Sequence, residues 1–196
     1  MNVRLDYQCQ FLAGVYWNNE VILNSYAVSC EMITGTSDNV EQNIALQRLK
    51  YMLFEQMQNS IFVSNKEKAV IKKLEAAGVK TVALPELPVD QIIGMMLYSK
   101  LNAVMEDRII ISELKLSSEL GDSVWYKHSE MESIGPFAEE GWWNNSERMC
   151  TDSKSSSSKV VSITNNAGWK TLDLDWPDDE SGDSDDSTVV VFKKDE

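Results

Sequence analysis

Val3-Arg4-Leu5-Asp6-Tyr7-Gln8-Cys9-Gln10-Phe11 alternates apolar and polar side chains without a break. A period of two is the signature of a strand that buries one face. Trp17-Asn18-Asn19-Glu20 supplies turn residues. The stretch from Val21 to about Thr34 then puts Ile22, Tyr26, Val28, Cys30 and Met32 on one face, so the chain opens as a long antiparallel hairpin. Asn24 falls on that apolar face and interrupts it.

Outward from the hairpin, the period changes to that of helices. Asp38-x-x-Glu41 reads as a capping-box variant, and Ile44, Ala45, Leu49, Met52, Leu53 and Met57 recur at helical spacing, which predicts a helix over about 40–59. Ser64-x-x-Glu67 starts a shorter helix that Gly78 ends. Val79 to Leu84 is a short apolar run before Pro85 and Pro88. A third helix, about 89–105, carries Ile92, Ile93, Met96, Leu97, Leu101 and Val104 on its stripe. A strand over 108–116, a turn at Glu119-Leu120-Gly121-Asp122 and a strand over 123–128 complete a second hairpin. Hairpin, helices, hairpin implies an α+β fold: an antiparallel sheet from two hairpins with helices packed on one face.

The chain changes character near residue 146. Of its 196 residues, 31 are acidic and 18 basic, for a formal net charge of -13, and residues 147–196 hold 12 of those acids and 6 of the bases. Ser155 to Ser158 reads as linker. Asp173 to Asp186 packs eight acids and no base into fourteen residues, a block that repels itself. The expectation is one globular domain over 1–146 and an acidic, mostly disordered tail over 147–196. Negative charge disfavours direct nucleic-acid binding, which draws on surplus Lys and Arg. No run approaches 18 apolar residues and the N-terminus has no leader pattern, so neither a membrane partner nor export is expected. Three scattered cysteines, an odd number without CxxC spacing, argue for reduced thiols, a cytoplasmic setting (a host cytoplasm if the origin is viral) and no structural zinc.

The order of elements, with Pro88 to Leu101, Ile109 to Leu116, Ser118-Glu119 and Ser123-Val124-Trp125-Tyr126, resembles the tunnelling-fold family of 6-pyruvoyl-tetrahydropterin synthases and queuosine-precursor synthases. In that family an acid at the strand end holds the pterin edge. The resemblance therefore nominates Glu119 as the acceptor for an amino-pyrimidine ligand and Tyr126 as its companion, and it implies a homo-oligomer whose sheets close into a barrel. The family's chemistry uses three zinc-binding histidines. Here the one histidine is His128, and the helix end where the family carries an Asp-His pair reads Gln58-Asn59-Ser60. The resemblance thus implies a scaffold without the metal: no cofactor, no catalytic residue and a ligand of the purine or pterin kind. The short acidic chain with its charged tail also resembles accessory proteins of tailed bacteriophages.

Other candidate residues are weighed from chemistry. No Gly-x-Ser-x-Gly and no phosphate-binding glycine loop occurs. His128 reads as a surface histidine beyond a strand. Cys9 and Cys30 read as small core residues. Trp142 and Trp143, with Phe137 nearby, would expose a large apolar area unless they pack on the open sheet or meet a partner. Trp169 and Trp176, set among acids, read as anchors that order on binding. Asp178, Asp179, Asp183, Asp185 and Asp186 form a carboxylate array suited to a basic protein surface, which they would engage much as phosphates do. Two functions follow: a non-catalytic oligomeric ligand binder with its site at Glu119, or an acidic interaction protein acting through its tail.

Overall fold

The computed structural model describes residues 3–129, 135–148 and 168–177. β1 (Arg4–Trp17) and β2 (Glu20–Thr34) form the opening hairpin, in register from Arg4 against Ile33 to Trp17 against Glu20. Asn18 and Asn19 turn it with φ of 49° and 67°, the left-handed pair that a two-residue hairpin turn requires and asparagine tolerates. α1 (Asn39–Tyr51) starts where the Asp38 carboxylate accepts from the Val40 and Glu41 amides. It winds on into a π-helical turn, Met52–Met57, in which the Gln58 amide donates to the Leu53 carbonyl five residues back.

β3 (Ile61–Ser64), α2 (Lys68–Ala76) and β4 (Thr81–Leu84) follow, then α3 (Asp90–Met105), β5 (Ile109–Ser118) and β6 (Tyr126–Ser129). The strands make one sheet in the order β4-β3-β1-β2-β5-β6. β3 runs parallel to β1 and to β4, while every other pair is antiparallel. The α+β architecture of two antiparallel hairpins with helices on the sheet is therefore present, widened by two parallel strands. No helix among the described residues is long and apolar enough to cross a membrane.

One face of the sheet is the core. Phe11, Ala13, Tyr26, Val28, Cys30 and Met32 are buried there against Leu49 and Leu53 from the α1 region and Ile93, Leu97 and Leu101 from α3. At roughly 1.5–3 kcal/mol for each fully buried large side chain, this layer is the main force holding helices to sheet. In β5, Ile109 and Ile111 are buried and so are Leu114 and Leu116, a break in the period of two. A bulge resolves it. Glu31 pairs with Glu113 but Met32 with Ile111, so Ser112 is the extra residue, and both apolar pairs face the helices.

Three expectations need correction. His128 is buried, 4% exposed, because its place opposite Leu114 in the β5–β6 ladder points it inward onto α3. Trp169 and Trp176 do not wait for a partner to order: within the tail expected to be mostly disordered, residues 168–177 lie on the body with Trp169, Leu174 and Trp176 buried against it. The tryptophan pair packs on the helix side, against α3, not on the open sheet. The stretches 149–167 and 178–196, which carry Cys150 and the acids Asp178, Asp179, Asp183, Asp185 and Asp186, lie outside the described residues.

Candidate functional site

Alternation along the strands decides what the second face of the sheet displays. With Cys9 and Phe11 turned to the helices, Gln8 and Gln10 point the other way, and the register sets Gln8 beside Ser29, Ser29 beside Lys115, and Lys115 beside Lys127. These side chains and Trp125, which is 49% exposed, line an open concavity of about 890 Å3. Its walls combine two carboxamides, each with a donor and an acceptor edge, a hydroxyl and an indole face.

The electrostatics of the concavity are set by an adjacent row. Asp6, Glu31 and Glu113 lie in register one step along the strands. Lys115 Nζ sits 2.8 Å from Glu31 Oε1 and 2.7 Å from Glu113 Oε1. The hydrogen bond from Lys115 holds the Glu31 carboxyl below its ordinary value, and the bonds to Glu113 and Glu31 push the lysine up. Its charge is therefore spent on two carboxylates. Lys127 stays an exposed cation on the wall, but Asp6, Glu31 and Glu113 outnumber the two lysines, a balance that disfavours a phosphate.

Glu119 and Tyr126 do not join this concavity. Glu119 is solvent-exposed in the β5–β6 turn. Tyr126 pairs with Leu116, the parity of the helix-facing side, whereas its neighbours Trp125 and Lys127 line the opposite face. The turn itself is firmly held. Asn24 Oδ1 accepts from the Leu120 amide at 3.2 Å, Ser118 Oγ donates to Asp90 Oδ2 at 2.6 Å and accepts from Gly121 N, and the Glu119 amide donates to the Ser25 carbonyl. A Cβ on Gly121 would come within 2.4 Å of Asp90 Oδ2, so a side chain there would push the Asp90 carboxylate off Ser118. Asn24, the polar interruption on the apolar face of β2, is thus explained as the cap of this turn. The segments that carry the family resemblance, around Pro88, Ser118 and Tyr126, meet here.

Among the described residues no group of three or more His, Cys, Asp and Glu side chains is placed to hold a metal ion. His128 packs on Gly94, where a Cβ would lie 2.3 Å from its Nε2. Burial pushes the Cys9 thiol up to about 11 and the Cys30 thiol up to about 12, which leaves neither as a nucleophile near neutrality.

The tryptophans nominated from sequence all find partners within the chain. Trp142 Nε1 donates to the Ala83 carbonyl of β4, and Trp143 Nε1 to the carbonyls of Phe137 and Glu139. Beneath them Lys100, fully buried on α3, donates to the carbonyls of Trp142, Asn145 and Arg148. Trp169 and Trp176 stack on Arg48, whose guanidinium carbon is 4.7 Å and 3.9 Å from the two ring centroids. Sequence reading passed over Arg48 and Lys100. Lys100 is the one cation of an apolar helix and Arg48 shares the last turn of α1 with Lys50, and the partners of both lie 42 or more residues away.

No family matches the sequence, and no curated protein matches it. Among solved structures, the chain is similar to an uncharacterized protein from Wolinella succinogenes, with 8% identity and a TM-score of 0.49 over 66% of this chain and 99% of that one. It is also similar to 6-pyruvoyl tetrahydropterin synthase from Plasmodium vivax, with 9% identity and a TM-score of 0.43 over 65% of this chain and 97% of that one.

Proposed function

We propose that the chain is a non-catalytic scaffold of the tunnelling type that assembles from several copies and binds a neutral planar heterocycle, of the purine or pterin kind, on the face of its sheet opposite the helices. The observation that carries this reading is the concavity lined by Gln8, Gln10, Ser29, Trp125 and Lys127. Carboxamides match the alternating donors and acceptors of such a ring edge, and an indole offers its face for stacking. The three carboxylates of Asp6, Glu31 and Glu113 beside two lysines, one of them Lys115 already paired with Glu31 and Glu113, favour a neutral ligand over a phosphorylated one. An open concavity on one subunit buries only one side of a ligand, and a second copy laid against it would supply the rest. Leu12 and Leu23, exposed diagonally across β1 and β2 on that same face, offer apolar surface for such a contact.

Calorimetric titration of the chain with guanine, xanthine and pterin tests the reading. Micromolar binding that weakens about tenfold or more in Trp125→Ala and in Gln10→Ala is the expected result. Absence of binding across the panel, or binding indifferent to both substitutions, overturns it. A particle mass that stays at 22.2 kDa in light scattering at tens of micromolar removes the oligomer from the proposal.

The charge of residues 173–186 favours a second reading, in which the acidic block engages a basic protein surface. Changing Asp178, Asp179, Asp183, Asp185 and Asp186 to Asn would then weaken capture by a basic partner, and added salt would do the same.

A further inference from the structure

Residues 168–177 are built like a bound peptide. Their backbone bonds are internal: Thr171 N to Gly168 O, Asp173 N to Lys170 O, and Leu174 N to Trp169 O. No strand of the sheet pairs with them. What ties them to the body is a set of side-chain anchors. Trp169, fully buried, lies edge-on to Tyr51 and over Arg48, and its Nε1 donates to the Ser146 carbonyl. Trp176 is gripped by the guanidinium carbons of Arg48 at 3.9 Å and Arg108 at 4.4 Å, and its Nε1 donates to Glu106 Oε2 at 3.0 Å. Between them the Leu174 carbonyl accepts from Arg48 Nε at 2.8 Å.

The receiving surface also has contacts of its own, apart from those to its occupant. Glu106, at the left-handed cap of α3, pairs with Arg48 at 2.9 Å and with Arg108 at 3.8 Å. Arg48 also donates to the Val104 carbonyl, and Arg108 to Glu41 and the Glu106 carbonyl. Groups of α1, the end of α3 and the residues just after it thus hold the arginines through bonds that do not involve the segment. A slot in which arginines stack on an indole and a carboxylate, Glu106, accepts from its N–H is the arrangement that concentrates binding energy in a few Trp and Arg residues. The negative charge of Asp175 in the segment favours the charged form of Arg48, after the larger effect of Glu106.

We propose that the slot formed by Arg48, Tyr51, Glu106 and Arg108 is a docking site for a Trp-x6-Trp acidic segment, filled by the chain's own residues 168–177 and exchangeable with the same segment of a second copy. Nineteen residues, 149–167, connect it to the last described residue of the body. Fully extended they reach about 60 Å, enough to serve a neighbouring molecule. A tether of that length sets an effective concentration of about the millimolar order, so occupancy from the chain's own segment dominates in dilute solution and exchange grows with concentration. This contact is separate from the ligand-binding face and does not depend on the reading given for it.

The test uses the full chain with a site-specific protease sequence in place of Ser155–Ser158. After cleavage, the C-terminal fragment is expected to stay bound at tens of micromolar. It should leave on dilution or under excess of the peptide GWKTLDLDWP, with the body keeping a cooperative thermal transition. The same peptide carrying Trp176→Ala should compete about tenfold or more weakly. Uncut chains bearing two different tags should co-purify increasingly with concentration, and the free peptide should suppress this. Three results would each overturn the proposal. In one, the body loses its cooperative transition when the fragment leaves, making the segment part of the core and not a ligand. In another, the Trp176→Ala peptide competes equally well. In the last, the tagged chains fail to co-purify at any concentration.

Discussion

Gly94 exists to make room for His128. Any side chain at 94 would run its Cβ into the imidazole at 2.3 Å, and the ring is walled in by the β5–β6 ladder. Gly94→Ala should therefore destabilise the chain by about 1–3 kcal/mol in urea unfolding, in spite of the better helix propensity of alanine. His128→Ala in the same chain should recover part of that loss, and a strictly additive double variant would refute the steric account. The thiols carry a second prediction at this scale. Burial first, then the neighbouring thiols, pushes Tyr7 up to about 12, and burial raises Cys9 and Cys30 to about 11 and about 12. Folding holds these groups neutral. Their contribution is fully present below the ordinary thiol range near 9 and is lost as pH climbs toward 11–12. The urea midpoint should then be flat between pH 7 and 8.5 and fall above pH 9. At pH 8, alkylation mapped to Cys9 and Cys30 should be about a hundredfold slower in the folded than in the unfolded chain.

At the scale of elements, α3 organises the most. Its apolar stripe seats the sheet, its first residue Asp90 holds the β5–β6 turn through Ser118, and its buried Lys100 gathers the carbonyls of residues 142–148. Lys100→Met keeps the packing volume but leaves those acceptors without their donor in a buried place. It should cost about 2 kcal/mol or more, and protease should cut residues 135–148 faster. If Met at 100 proves neutral, Lys100 is not what holds that loop. The helix and the first hairpin were legible because their periods run for ten residues or more, and the second hairpin because its glycine-bearing turn follows an apolar run. β3 and β4 were not, since Ile61–Ser64 and Thr81–Leu84 are four residues each and show no alternation to read. The bulge at Ser112 was hidden for a related reason: the break in the β5 pattern has meaning only against the partner strand.

For the whole molecule, the tail is two things. Composition predicts that everything after about residue 146 is removable, yet Trp169 and Trp176 fill a slot on the body. A chain ending at Pro177 should keep its melting temperature within a few degrees of the full chain. One ending at Arg148 uncovers Arg48 and two indole sites and should lose at least about 2 kcal/mol, a drop of about 4–8 °C for a domain of this size. Equal melting temperatures for the two would mean that residues 168–177 contribute nothing to the fold.

What the amino-acid sequence determined by itself is the local and the periodic: the first hairpin and its Asn18-Asn19 turn, the capped α1, the apolar face of α3, the glycine-bearing turn at 119–122, and the charge of the chain. These follow from alternation, capping and turn chemistry acting between near neighbours. Only the tertiary structure decided which face of the sheet the helices cover, that Trp125 and Lys127 and not Glu119 and Tyr126 line the concavity on the other, and that Arg48, Lys100 and His128 are interior. Each of those outcomes depends on partners far apart in the chain. Arg48 is buried because Leu174 and Trp176, more than a hundred residues later, supply an acceptor and a ring, and no local pattern encodes that distance.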